Sequence, residues 1–457
     1  MASTKFVVSV SPDGKKVAHP LSVGGNVTDV ALKDIAGNHA EKVFSITNGI
    51  VVGLSFSPDG GHLSVIAIEN MRAPSGKPVG VAYVVDLAEG KARRLGKTEV
   101  PVNFAKAADL IISHTWVSKD KFALYSVKGG DLEVSLVDAD GEKIRRIFKG
   151  SEASAKWPVP AEFAPLTAGW VPLGESISAS PQGEVYFCWK GRVFKAGPKG
   201  AELLMDNLFE GGYSSPQVSP GGSRIAVYTT LDSPVFTCLM NADATDIAVA
   251  AKTPEGGTAY RGGNFYTWIE GGKYLAVIDH SRLTLISADG SRRVSVPVGQ
   301  FCGSVYGIGN GGVALLSETG LWAIDVSGDL ARLDKLPAPE KKRFKYPDFS
   351  SPQATWTTLN RACKDADTRV HSRCFAGDGA PGLARMEAAI GKQRCWQLLR
   401  QWPLLFPEQQ SFVVEGDSAV LKCEDKQAGM SIELRFRRIG GEWKIVPETR
   451  AKPEAGK

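Results

Sequence analysis

The chain has 457 residues, 43% hydrophobic and 23% charged, which excludes wholesale disorder. At roughly 150 residues per domain it has room for three ordinary domains, or for one large domain and a small one. Its apolar runs are too short for a membrane-spanning helix, and a net charge of +5 over this length is too weak a bias for a nucleic-acid-binding face.

The first ten residues, Met1 to Val10, lack a basic stretch followed by an apolar core, so they do not read as a signal peptide. Taken literally, this predicts a cytoplasmic protein. A leader already removed would leave the same text in a periplasmic or secreted one. The 50 glycines point to many tight turns, hence many short strands.

Those turns recur. An apolar strand, a Ser-Pro-Asp-Gly-type turn and a second apolar strand appear around Pro12, Pro58, Pro181 and Pro220, with degenerate copies around Lys119, Glu270 and Asn310. Proline pre-sets φ near −65°, aspartate bonds back to the local backbone, and glycine supplies positive φ. Period-2 apolar segments on both sides make each turn a hairpin. The markers lie about 50 residues apart, near the ~40–50 of a propeller blade. A second hairpin follows in each unit, as in Tyr83–Leu95, Leu136–Ile144, Leu285–Val294 and Trp322–Leu333. Two hairpins per unit predict four-stranded blades.

These Ser-Pro-Asp-Gly hairpins resemble the WD-repeat-like propeller repeats of the TolB type, seen also in the propeller halves of prolyl oligopeptidases. The resemblance covers about 340 residues. It implies a mainly β chain whose first part is a propeller of seven blades, with six or eight as alternatives, and it marks a blade rather than an activity.

Between Pro337 and Pro347 the pattern changes. Residues 1–340 read as the propeller, 341–348 as a linker, and 349–457 as a small α+β domain. Lys341, Lys342, Arg343 and Lys345 read as a solvated linker rather than a phosphate-binding patch. From Phe349 onward 17 Lys/Arg stand against 13 Asp/Glu, so +4 of the net +5 lies here. Ser351 caps a helix with Pro352 in its first turn, and a second helix is expected from Gly382 to Gln401. Strands follow around 412–414, 418–423, 431–437 and 443–446, the last two joined by Gly440-Gly441-Glu442. Helices followed by a meander ending in Gly440-Gly441-Glu442-Trp443-Lys444-Ile445 resemble the nuclear transport factor 2-like fold, a curled sheet wrapped on helices. That resemblance implies a cone that binds a ligand or partner, or in some members performs isomerase or dehydratase chemistry.

Catalytic motifs are sparse. No Gly-x-Ser-x-Gly elbow occurs, and about 110 residues cannot hold the α/β domain it needs. Gly307 to Gly312 matches G-x-G-x-x-G in form, but no helix pattern follows, so it reads as a blade turn. Of seven cysteines, Cys363, Cys374, Cys395 and Cys423 crowd the last 110 residues. Buried thiols, one or two disulfides, or a metal site with His371 are the readings; the close C-x₂₋₄-C pair typical of zinc is missing. No metal and no cofactor is expected.

Asp367 and His371 lie four apart on a short helix, hence on one face: an acid/base pair at a cone mouth, or a surface ion pair. Trp116 and Trp268 occupy equivalent repeat positions, packing between blades or stacking on a ligand. The favoured function is a non-enzymatic binding or scaffold protein that takes a peptide or protein partner on the propeller faces or channel. The rival is an enzyme, with a hydrolase- or lactonase-like site in the channel or chemistry in the C-terminal cone.

Overall fold

The structure, a computed structural model, describes residues 7–22, 26–37, 39–71, 77–102, 110–159, 176–206, 212–229, 236–252, 265–279, 282–298, 304–308, 311–317, 320–337, 345–377, 381–401, 410–425 and 430–446. The chain divides into two compact units. The first comprises residues 1–243, 250–253 and 257–339, and the second 244–249, 254–256 and 340–457.

The first unit is built from successive antiparallel sheets. Residues 9–47, 50–101, 110–149, 178–205, 213–252 and 266–297 each form a four-stranded meander, and residues 304–325 form a sheet with three strands among the described residues. The second strand of several sheets is covered on both faces. The strand His62–Glu69 is buried from Leu63 to Ile68, and its run Leu-Ser-Val-Ile-Ala-Ile is accordingly almost unbroken in apolar character, as two-sided burial requires. Core clusters join neighbouring sheets: Phe44, Leu54, Phe56 and Tyr83 between the first and second, Phe148, Phe187, Trp189 and Phe194 between the third and fourth.

The turns are held by a device that the proline, aspartate and glycine do not supply. In the second sheet Ser57 Oγ accepts the His62 N–H at 2.9 Å and donates to Asp59 Oδ1 at 2.6 Å. Asp59 accepts the Gly61 N–H at 3.1 Å, and Gly60 takes φ 73°. Ser11 and Asp13 repeat the pattern in the first sheet. Ser287 and Asp289 repeat it in the outer hairpin of the sixth. The serine hydroxyl thus clamps the loop from inside, and Ser57 is fully buried. The turn at Asn310 lies outside the described residues.

The first strands of the sheets touch one another in succession. Those at Ser9–Val10, Ile50–Phe56, Leu110–Ser118, Ser178–Ala179 and Tyr213–Val218 form one series, and those at Tyr266–Ile269 and Ser304–Ile308 form another, whose end meets Ser9–Val10. Trp268 Nε1, donating to the Gln217 carbonyl at 3.1 Å, joins the two series. Among the described residues these contacts link the first strands of the successive sheets, and the last of them meets the first. Beside that contact a cavity of about 400 Å³ lies between the first and seventh sheets, lined by Val8, Val17, Leu316 and Leu321 among others.

The segment from Trp322 to Leu333 departs from the expected strand–turn–strand. Only Gly320–Asp325 is a strand, and Ser327–Lys335 is a helix. Asp325 Oδ1 accepts the Ser327 N–H at 2.8 Å, starting the helix, while Leu330 and Leu333, three apart, bury one face against the sixth and seventh sheets. A helix at Gly150–Lys156 was also not legible in the hairpin pattern.

In the second unit Ser351 caps the helix Pro352–Asp365, its Oγ accepting the Ala354 N–H at 3.0 Å. The single helix expected over 382–401 is two, Pro381–Ile390 and Lys392–Arg400, broken at Gly391 with φ 82°. A four-stranded meander follows at Gln410–Glu415, Ser418–Asp425, Met430–Ile439 and Glu442–Val446. Helices and sheet share a core containing Trp356, Leu359, Trp396, Leu421, Phe436 and Trp443. The cluster Lys341–Arg343 lies outside the described residues.

Candidate functional site

A groove of about 810 Å³ opens between the second and third sheets of the first unit, lined by their turn residues. One wall carries Asp59 and His62 from the inner turn, then Asp86, Glu89, Lys91 and Arg93 from the outer hairpin. The other carries Lys119, Asp120 and Lys121, then Asp138 and Asp140. Six carboxylates thus face four permanent cations and one histidine.

The charges are held in place by their own turns. Asp86 Oδ1 accepts the Ala88 and Glu89 N–H groups, both at 2.9 Å. Ser118 Oγ donates to Asp120 at 2.6 Å, and the Glu142 N–H to Asp140 at 2.9 Å. The Ser57 hydroxyl first, and the Gly61 amide next, hold Asp59 below the usual carboxylate range. The Glu89 amide does the same for Asp86, and the Ser118 hydroxyl for Asp120. These groups stay ionised at neutral pH. Lys121 pairs with Asp138 at 3.3 Å and Lys91 with Glu89 at 3.0 Å.

His62 is the one general-base candidate in the groove. Its Nε2 lies 3.9 Å from Asp86 Oδ2, beyond hydrogen-bond reach. Its Nδ1 is buried without a partner, and its ring leans on Trp116, with centroids 6.1 Å apart. The arrangement is suited to fixing a charged ligand between two walls rather than to moving a proton. Sequence reasoning missed it because the lining comes from four turns in two sheets. The signal was present in the turns themselves, each of which carries charged residues.

Trp116 and Trp268 are buried between sheets. Their Nε1 atoms donate to the carbonyls of Ser55 at 2.9 Å and Gln217 at 3.1 Å, on the preceding inner strand. Their ring faces serve inter-sheet packing.

Asp367 and His371 share a short helix but not a contact between side chains. Asp367 caps Thr368–Arg373, accepting the Val370 N–H at 3.0 Å, and it also accepts the Tyr346 hydroxyl at 3.0 Å. His371 is 4% exposed, between Phe375 and Trp396 at centroid distances of 5.3 and 5.5 Å. Burial pulls it down to about 4 against the opposing charge of Glu387. Glu387 accepts the Trp396 Nε1–H at 3.0 Å, so the acid nearest in influence to His371 is one that the i, i+4 spacing did not indicate.

Cys188, Cys238, Cys363, Cys374, Cys395 and Cys423 are buried free thiols; Cys302 lies outside the described residues. Burial pushes Cys374 up to about 12 and Cys395 up to about 11. Among the described residues no group of three His, Cys, Asp or Glu side chains is placed to hold a metal, and no helix is long and apolar enough to cross a membrane.

A mainly β unit of four-stranded meanders, joined inner strand to inner strand, has the architecture of a β-propeller, and its structural neighbours are TolB and WD40 β-propeller proteins. TolB from Acinetobacter baumannii is 14% identical with a TM-score of 0.40, the match covering 64% of this chain and 65% of that one. Sqt1 from Saccharomyces cerevisiae is 11% identical with a TM-score of 0.46, covering 71% and 83%. An oligogalacturonate lyase in complex with manganese is 15% identical with a TM-score of 0.43, covering 60% and 73%. The chain spans just under two thirds of the length of that TolB. No family model and no curated protein matches the sequence. At these scores both fold and function rest on this chain's own contacts and residues.

Proposed function

We propose that this chain is a binding protein: a seven-bladed β-propeller that holds a charged segment of a peptide or protein partner in the groove between its second and third blades. The observation that carries this reading is the groove itself, about 810 Å³ with ionised side chains on both walls. Carboxylates fixed by turn amides need no reorganisation when a partner's charges arrive, and charge patterning of this kind governs encounter rate and choice of partner.

The test is capture of partners by the tagged full chain, repeated with a double charge reversal, Asp86→Lys with Lys121→Glu. Capture of the principal partner should fall at least about tenfold, and wild-type capture should weaken with salt. Undiminished capture by the reversed chain removes the groove from the function.

The second unit supports a further part of this reading. Its helices followed by a four-stranded meander keep the element order of a nuclear transport factor 2-like cone, and we assign it an accessory binding role. The enzymatic alternative has one favourable observation there: the buried His371, with an unpartnered Nδ1 and Glu387 close enough to act on its charge. Turnover of any ester, lactone or phosphoester that falls about 100-fold in His371→Ala would replace the binding reading.

A further inference from the structure

The junction between the seventh sheet and the first differs from its counterparts. Core clusters fill the first–second, second–third, third–fourth, fifth–sixth and sixth–seventh junctions. Here the facing side chains enclose the cavity of about 400 Å³ instead, a volume within the roughly 300–1,000 Å³ of small-molecule sites. The strand register fixes its walls. Val17 pairs with Lys33 in the first sheet, and Leu316 with Leu321 in the seventh; directly opposite residues of a ladder share a face. His19 and Ala323, each two residues further along a strand, fall on the same two faces. Val17 and Leu316 are buried, whereas Lys33 is half-buried and Ala323 exposed. The cavity thus has an aliphatic floor and a mouth that reaches water.

Three of the lining residues are polar. The Lys33 ammonium has no ion-pair partner among the described residues. Burial holds His19 below its ordinary value, against the pull of the Pro20 backbone and with help from the charge of Lys33, so His19 is uncharged at neutral pH. Asp34 follows Lys33 on its strand, so its exposed carboxylate points to the opposite face of the sheet. Lys33 is therefore the one cation of an otherwise apolar cavity, and its charge is unanswered.

We propose that this cavity binds an aliphatic monocarboxylate of medium chain length, its tail between Val17, Leu316 and Leu321 and its carboxylate on Lys33. The tail supplies affinity, about fourfold for each methylene removed from water. Lys33 sets the direction of entry, because a charge-assisted hydrogen bond to a carboxylate is stronger than one to a neutral oxygen. A second charge at the far end of the ligand would lie against aliphatic walls with nothing to pair it. An alkylammonium would bring like charge to Lys33.

The experiment is calorimetric titration of the full chain with hexanoate, octanoate and decanoate, set against 1-octanol, octylammonium and octanedioate. Affinity should rise along the acid series by about fourfold per methylene. Octanoate should bind at least about tenfold more tightly than octylammonium or octanedioate. Lys33→Met keeps the stem and removes the charge; it should lose about tenfold or more for octanoate and leave octanol unchanged. Ala323→Phe fills the mouth and should weaken octanoate and octanol alike while its melting temperature stays close to wild type. Should that variant not fold, Lys33→Glu on the half-buried wall should reverse the preference, taking octylammonium over octanoate. A chain lacking residues 1–6 should bind octanoate as the full chain does. Five results would each overturn the proposal: no carboxylate bound below about 10 mM, no dependence on chain length, octylammonium bound as tightly as octanoate, full octanoate affinity in folded Lys33→Met, or binding only in the shortened chain, which would make the chain's own N-terminal segment the occupant.

Discussion

Ser57 shows how much one hydroxyl can organise. It is buried, accepts one amide and donates to a carboxylate that is itself bonded to the turn. Ser57→Ala leaves the His62 amide and Asp59 short of a partner, and should cost about 1–3 kcal/mol in urea unfolding. Glycine positions should separate in the same assay. Gly212 has φ 79°, and a Cβ there would sit 2.3 Å from the Gly191 Cα, whereas Gly90 at φ 63° has open space. Gly90→Ala should cost about 1 kcal/mol, and Gly212→Ala should cost more than 3 kcal/mol or prevent folding.

Titration at single residues fixes the pH dependence. Burial works against the Asp289 anion, but the Ser287 hydroxyl and the Ser291 amide and hydroxyl outweigh it and draw Asp289 down to about 2. Its contribution is complete above the unfolded value near ~4 and is lost as pH falls through about 2. Asp289→Asn should therefore flatten the stability curve between those limits. His114 and His371 behave differently. Burial holds both near 4, so below ~6.5 the unfolded chain takes up protons that the native chain refuses. Stability should decline from pH 6.5 towards 4, by up to about 1.4 kcal/mol per pH unit for each histidine. His114→Gln and His371→Phe should each reduce the slope, read from urea titrations at several pH values.

At the scale of elements, the helix Ser327–Lys335 covers the outer strands of the sixth sheet through Leu330 and Leu333. Leu333→Ala should cost about 2–5 kcal/mol, measured by thermal unfolding. The same helix shows where sequence reading stopped. Trp322 to Leu333 has the spacing of a hairpin, and nothing local says that Leu330 and Leu333 turn onto a neighbouring sheet. The Ser-Pro-Asp-Gly hairpins were legible because their turn is decided within six residues. The break at Gly391 was not, since the apolar stripe continues through it. The groove and the cavity at the seam lie at the far end of this scale. Each gathers residues from separate hairpins, and no motif of consecutive residues can represent them. Asp367 and His371 illustrate the converse: an i, i+4 spacing places two residues on one face without making their side chains meet.

At the scale of the whole molecule, the boundary between the two units falls near Pro339. The stretch from Pro337 to Pro347 is polar and proline-bounded, and boundaries of this composition are where proteases cut first. Limited digestion should leave stable fragments of roughly 37 and 12 kDa, scaled from a mass of 48.8 kDa. First cuts inside the sheets of the first unit would show that the two parts do not fold independently.

The seam between the seventh sheet and the first carries a consequence for the newborn polypeptide. Every clamp joins residues at most six apart and can form as soon as its hairpin leaves the ribosome. The seam does not: Ser9–Val10 meets Ser304–Ile308, and at about 5–20 residues per second those partners emerge roughly 15–60 s apart. For that interval the first sheet waits with Val8 and Val17 uncovered on the side where Leu316 and Leu321 will later lie. Translation thus sets a window in which one apolar flank is open to holding chaperones, and a chain stalled before residue 304 never shuts it.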